Sequence, residues 1–292
     1  MGSHRLLAGI AVALLVPCPP ASLHRAQPDF AGEIVQNQPQ DLSSPAILST
    51  GGVVQEGEDL LYEVSWAFVK LGTIRLKTLQ TIEHQNAIRY SAEAFIDSYE
   101  GLPFVNLHSI IHSEMDSSFS SRSARALEQK QGEWWGMHYR YDSARSHCFV
   151  EETWQKDLKE APYKRSPPDT LTLPRGFVQD GLSLAYFARA HVLDRDTLSV
   201  PVIAYGKLGW TTFHFDGQRG TVEIDAYSAP IRFVEFDGWL DVQGIFGLTG
   251  DFRGWFSDDS AAIPIKAQFR VILGNVTVTL IGWERKGWIP PS

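Results

Sequence analysis

From Asp59 to Trp283 apolar and polar residues alternate with a period of two, segment after segment. That spacing places successive side chains on opposite faces of an extended strand. Leu60, Tyr62, Val64 and Trp66 alternate with Leu61, Glu63, Ser65 and Ala67. Val69 to Gly72 is short enough for a hairpin connection, and Gly72 suits its turn. In Thr73 to Glu83, Ile74, Leu76 and Ile82 share a face opposite Arg75 and Lys77. Ile88, Tyr90, Ala92, Ala94 and Ile96 then stand opposite Arg89, Ser91, Glu93 and Asp97. Three alternating strands on short connections predict an antiparallel meander.

The pattern continues through Leu107 to Met115, Ser118 to Glu128, Glu133 to Tyr141 and Arg145 to Trp154. Lys156 to Gly176 is expected to break it, because Pro162, Pro167, Pro168 and Pro174 oppose regular ladders. Asp180 to Leu193 reads as a helix: Asp180 caps it, and Leu184, Phe187 and His191 recur at helical spacing. Strands resume at Thr197 to Tyr205, Trp210 to Phe215, Thr221 to Ala226, Ile231 to Phe236, Phe252 to Phe256, Ile263 to Leu273 and Asn275 to Trp283. The expected fold class is therefore all-β, a large curved antiparallel sheet or barrel-like meander of about fourteen strands with one central helix. A sandwich, or two β lobes flanking the proline-rich break, satisfies the same pattern. A closed or strongly curved sheet hides its edges and leaves room for an apolar cavity.

Residues 1–22 read as a secretory signal peptide. His4 and Arg5 precede the apolar run Leu6 to Val16, and Pro17 to Ser22 is a small-residue, proline-rich stretch ending near a cleavage point after Ala21 or Ser22. The run falls short of the about 20 residues that span a bilayer. Cys18 follows it as a lipidated cysteine would, but Pro17 occupies the position where lipoprotein signals carry a small residue. Residues 23–55 are polar and proline-bearing and read as a linker or N-terminal arm. Residues 56–285 form one β-rich domain and 286–292 a C-terminal tail. The expected compartment is the periplasm or cell envelope.

Composition excludes several classes of function. The net charge of −8 disfavours nucleic acid as a partner, since neutralising phosphates requires a lysine and arginine surplus. Two cysteines rule out a multi-disulfide scaffold or a four-thiolate zinc site. Removing the signal leaves Cys148 unpaired. His147 points to the opposite strand face, so a Cys–His catalytic pair is awkward and a buried thiol is expected.

The chain carries no G-x-S-x-G elbow, phosphate-binding loop, H-E-x-x-H or paired C-x-x-C. Gly244, Gly247 and Gly250 lack the dinucleotide spacing and read as a loop. On one strand, His108 and His112 sit roughly 13 Å apart, too far for both to bind one metal with Glu114. No metal and no cofactor is implied. Asp258 and Asp259 are an adjacent carboxylate pair that a glycan hydrolase would need to face across its substrate. Ser257-Asp258-Asp259-Ser260 is equally good turn chemistry, which is the favoured reading. Trp134, Trp135, Tyr139 and Tyr141 supply ring faces for a sugar or lipid, or packing within the sheet.

Three segments together resemble the exported bacterial family known as domain of unknown function 3108 (DUF3108). The first is Gly57-Glu58-Asp59-Leu60-Leu61-Tyr62-Glu63-Val64-Ser65-Trp66, followed by Leu71-Gly72-Thr73. The second is Gln179-Asp180-Gly181-Leu182-Ser183-Leu184-Ala185-Tyr186-Phe187-Ala188-Arg189, and the third is Trp255-Phe256-Ser257-Asp258-Asp259 with Ile263-Pro264-Ile265 and a closing hairpin around Gly274. The resemblance runs from about Glu56 to Trp283 and implies an exported, mostly β protein without an assigned reaction. The leading expectation is a noncatalytic envelope protein holding an apolar or amphipathic ligand: a lipid, glycolipid or polymer. The alternatives are a hydrolase using Asp258 or Asp259, and a structural envelope component without a small ligand.

Overall fold

The computed structural model describes residues 52–84, 87–102, 106–174, 176–242, 248–271 and 274–292. The signal segment, Cys18, the arm up to residue 51, and Gly244 and Gly247 lie outside the described residues.

The described chain is mostly strand. The first seven are β1 (Asp59–Trp66), β2 (Val69–His84), β3 (Ala87–Ser98), β4 (His108–Asp116), β5 (Ser121–Lys130), β6 (Glu133–Asp142) and β7 (His147–Gln155). Short strands β8 (Lys164–Arg165), β9 (Asp169–Thr172) and β10 (Gln179–Asp180) precede helix α1 (Ser183–His191). The remainder are β11 (Thr197–Ala204), β12 (Lys207–Ile224), β13 (Tyr227–Leu240), β14 (Gly250–Ser257), β15 (Pro264–Val271) and β16 (Gly274–Glu284).

All sixteen strands belong to one open, barrel-like sheet. Its order runs from β10 through β11 to β16, then β1 through β7 to β8, with β9 also on β7. Every pairing is antiparallel except β10 with β11. The strands exceed the expected fourteen because the proline-rich stretch, predicted free of ladders, carries β8 and β9, and β10 forms at Gln179–Asp180, where the helix was expected to start. Pro167 and Pro168 lie between these two edge strands, where a missing N–H interrupts no central ladder. Conversely, the segments read as Trp210 to Phe215 and Thr221 to Ala226 are one long strand, β12, with a register shift between His214 and Gln218.

The first hairpin turn is Ala67–Phe68, with Val69 already in β2. Gly72 therefore serves another purpose: it sits within β2, where a Cβ would collide with the carbonyl oxygen of Asp97 on β3.

The sheet curls until its β10–β12 end meets β5 and β6. The Ser121 N–H donates to the Val178 carbonyl at 2.9 Å, and the Gly206 N–H donates to the Tyr139 hydroxyl at 3.1 Å. Helix α1 lies on the concave side, where Tyr186, Phe187 and Ala188 pack with Phe213, Phe215, Phe236 and Phe256 of the main core. It sits toward the end formed by the β4–β5 and β14–β15 turns, called here the helix end. The turns Ala67–Phe68, Gln131–Gly132 and Tyr205–Gly206 mark the far end. In the last two, both residues have positive φ, as a two-residue turn following the strand twist requires.

Candidate functional site

The three segments that carry the family resemblance meet in space. Glu58 precedes β1, Arg189 lies on α1, and Ala261 lies in the β14–β15 turn. Both carboxylate oxygens of buried Glu58 accept from buried Arg189, Nη1 at 2.7 Å and Nη2 at 3.0 Å, and Nη2 also donates to the Ala261 carbonyl at 3.0 Å. Arg285 completes the cluster, pairing with Glu58 and donating to the carbonyls of Gly52 and Val53. Burial opposes the Arg189 charge, but Glu58 outweighs it and the guanidinium pKa is raised. Tyr186 donates to or accepts from Thr78 at 2.7 Å, and burial pushes its phenol up to about 12. Two guanidiniums thus share one carboxylate, clamping helix and sheet together with the segment at Gly52 and Val53.

A second buried cluster fixes the start of α1. Asp180 Oδ2 accepts from Ser113 at 2.6 Å and from Ser121 at 2.7 Å. Its Oδ1 accepts the N–H groups of Leu182 and Ser183 at 2.8 and 3.0 Å. Ser183 donates to Gln179 at 2.6 Å and accepts from the Asp180 N–H at 2.9 Å. With four donors on one carboxylate, this cluster anchors the helix; it has no free lone pair directed at a substrate. Asp180, expected as the cap, instead ends β10 and holds the turn into the helix: α1 begins at Ser183 after Leu182, which makes no side-chain cap bond, and is shorter than its predicted span.

Neither cluster was among the sequence candidates, yet a signal existed. Leu182, Tyr186 and Arg189 fall at i, i+4 and i+7, so Arg189 sits on the apolar helix stripe, and an arginine there demands a buried acid.

Asp258 and Asp259 take different partners. Asp258 pairs with Arg219 Nε at 3.1 Å at the surface. Asp259 Oδ1 accepts from Ser257 Oγ and from the N–H groups of Ala261 and Ala262 at 2.8 to 3.1 Å, and its Oδ2 accepts from Trp288 Nε1 at 2.8 Å.

Strand alternation separates the four aromatic candidates. Tyr139 and Tyr141 are buried on the concave side with Met137 and Cys148, and Trp135 packs half-buried against them. Trp134, one residue before, falls on the opposite face. Trp154, directly across the ladder from Trp135, joins it instead. Lys130 Nζ lies 3.9 Å over the Trp135 ring and Lys164 Nζ 4.2 Å over Trp154, while Trp135 Nε1 donates to Glu152 at 3.1 Å. Cys148 is buried, and its burial pushes the thiol up to about 12, so it is protonated and inert at neutral pH.

His108 pairs with Asp97 at 2.9 Å, His112 with Ser91 at 3.0 Å, and Glu114 accepts from Ser123 at 3.1 Å. Among the described residues no three histidine, cysteine or acidic side chains gather to hold a metal.

Toward the far end the concave face changes character. Ile74 lies between Tyr62 and Ile96 in the ladders, both buried, and so faces inward, yet it remains half-buried. Ile111 beside Ala94, Val278 beside Val64, Phe252 and Leu184 of α1 behave alike. Nearby, Ala204, Tyr205, Leu208, Asp241 and Val242 line a shallow pocket of about 360 Å³.

No family model matches this chain, and no curated protein does. Two solved structures are similar in outline. One is a β-barrel-like protein of domain of unknown function 1849 from Brucella abortus, 10% identical, covering 80% of this chain and 98% of its own, with a TM-score of 0.48. The other, a candidate exported protein with a YmcC-like fold from Bacteroides fragilis, is 7% identical over the same shares, with a TM-score of 0.34. Function is therefore read from the site itself.

Proposed function

We propose that this is an exported, noncatalytic barrel-like protein of the cell envelope that holds an apolar or amphipathic ligand of the lipid or glycolipid class on the concave face toward its far end. The observation that carries this reading is the set of inward-facing but half-buried apolar side chains Ile74, Ile111, Leu184, Phe252 and Val278, contributed by five elements. Inward apolar groups left partly wet are what a ligand of that class covers. Trp135 and Trp154 extend the same face with rings flanked by lysine ammonium groups, a combination that suits an amphipathic headgroup. The apolar run of residues 6–16 and the DUF3108-like segments support export.

The test is a fluorescence titration with the apolar probe N-phenyl-1-naphthylamine. Saturable binding is expected, weakened about tenfold by Leu184→Asn, which removes roughly a leucine's worth of apolar contact. Trp134→Ala, on the opposite face, should leave binding unchanged. A wild-type protein that fails to bind the probe, or equal loss in both variants, would overturn the reading. The helix held fast by Glu58 and Asp180 favours a second reading, a structural envelope component, which that negative result would leave standing.

A further inference from the structure

Of the eleven exposed large apolar side chains among the described residues, six gather at the far end, while Ile88, Leu193, Ile281 and Ile289 lie away from it and Trp210 lies within β12. Phe68, 93% exposed, is at the tip of the β1–β2 turn; Tyr99 follows β3; Leu158 and Tyr163 lie in the β7–β8 connection; Tyr205 is in the β11–β12 turn; and Trp239 ends β13 at 48% exposed. The meander brings all six to the far end, on five different connections around the rim. A protein partner would meet a contiguous patch; a ring of separate tips defines a plane instead. Five of the six are aromatic, four of them in turns or connections and Trp239 near the end of β13, and tyrosine and tryptophan have an apolar body with a polar edge suited to a membrane–water boundary.

Charge at this end is balanced: Lys70, Lys130, Lys156, Lys159, Lys164 and Lys207, six of the nine lysines, stand in or beside the far-end connections, and so do Glu63, Glu100, Glu128, Glu133, Asp157, Glu160 and Asp241. Lysines can lay their stems along apolar surface and lift their ammonium groups to phosphate headgroups. Acids share the rim: Glu63 lies 2.7 Å from Lys70 and Glu128 3.2 Å from Lys130. The rim as a whole therefore offers no net attraction to an anionic surface, and insertion of the tips supplies the binding. The turn that presents Phe68 is held firmly, with Ala67 at a φ of 51° between paired strands β1 and β2.

We infer that the far end docks on a lipid bilayer, its aromatic tips entering the headgroup zone. This goes beyond the ligand reading and its apolar tips are separate residues, although Lys130 and Lys164 figure in both and a barrel seated this way would face its concave apolar surface toward the lipid.

The experiment is co-sedimentation of the protein, in the form in which it accumulates in the cell, with vesicles of phosphatidylcholine alone and of phosphatidylcholine mixed with phosphatidylglycerol. Binding to both is expected, to a similar extent. Phe68→Ser, at a site with almost no native contact, should fold normally and weaken binding about tenfold, in line with the transfer of one phenylalanine side chain. Ile289→Ser, 73% exposed near the helix end, should bind as the parent does. N-phenyl-1-naphthylamine binding should survive in Phe68→Ser, which separates failure of docking from failure of the ligand reading. The inference is overturned if the parent protein ignores both vesicles or if Ile289→Ser loses as much as Phe68→Ser. It is equally overturned if the rim proves to join two copies, shown by a dimer that Phe68→Ser converts to monomer.

Discussion

Asp258 and Asp259 are sequence neighbours whose carboxylates are tied to different parts of the molecule. Asp259 gathers four donors and reaches Trp288, 29 residues on, whereas Asp258 makes a surface pair with Arg219. Asp259→Ala strands the N–H groups of Ala261 and Ala262 and the indole of Trp288, and should cost about 1–3 kcal/mol. Asp258→Ala removes one solvent-screened ion pair and should cost no more than about 1 kcal/mol. Urea denaturation of the two variants checks the ranking; equal losses would mean the turn does not depend on Asp259. The sequence Ser-Asp-Asp-Ser made the turn legible because Asp-to-backbone bonds are local. It could not disclose Trp288 or Arg219, whose approach depends on the folded sheet. The aromatic run shows the same boundary. Alternation alone assigns Trp135, Tyr139 and Tyr141 to one face and Trp134 to the other, but Trp154 joins Trp135 only through the β6–β7 register.

At the scale of elements, strands were readable where alternation was strong, and their ends were not. Ala67–Phe68 turns without glycine, which sequence chemistry does not announce, and the glycine that looked like a turn residue is needed for close strand approach at Asp97. The helix was visible from its spacing, but its attachment was not, because Glu58 and Arg189 lie 131 residues apart. That attachment yields a sharp asymmetry. Glu58→Gln leaves Arg189 and Arg285 facing each other in the interior without a carboxylate and should cost about 3–5 kcal/mol. Arg189→Met leaves Glu58 still paired with Arg285 and places an apolar chain on the helix stripe, so it should cost clearly less. Chemical denaturation followed by near-ultraviolet circular dichroism measures both, and a larger loss in Arg189→Met would show that Arg285 does not sustain Glu58.

The whole molecule depends on a pairing that no local pattern encodes. β1 to β9, all before α1, and β11 to β16, all after it, each form a contiguous half-sheet, with β10 crossing over to pair with β11, which is why two lobes remained a fair reading of the sequence. The β1–β16 ladder, from Asp59 opposite Glu284 to Trp66 opposite Val276, fuses the halves into one sheet. Its partners come from opposite ends of the described β region, as do Arg285 and Glu58, 227 residues apart. A fold closed by such distant contacts orders late and slowly, since loop-closure entropy must be overcome before the ladder stabilises anything. It should also unfold as a unit. Leu280 on β16 is fully buried across from Tyr62, so Leu280→Ala should cost about 2–5 kcal/mol. If the seam joins the halves thermodynamically, amide hydrogen exchange in β4–β7 and in β12–β14 should accelerate together and by the same factor. Acceleration confined to β12–β16, with β4–β7 protected as before, would mean that the first half-sheet and its curled edge hold without the seam, and that the single sheet contains two separately stable halves.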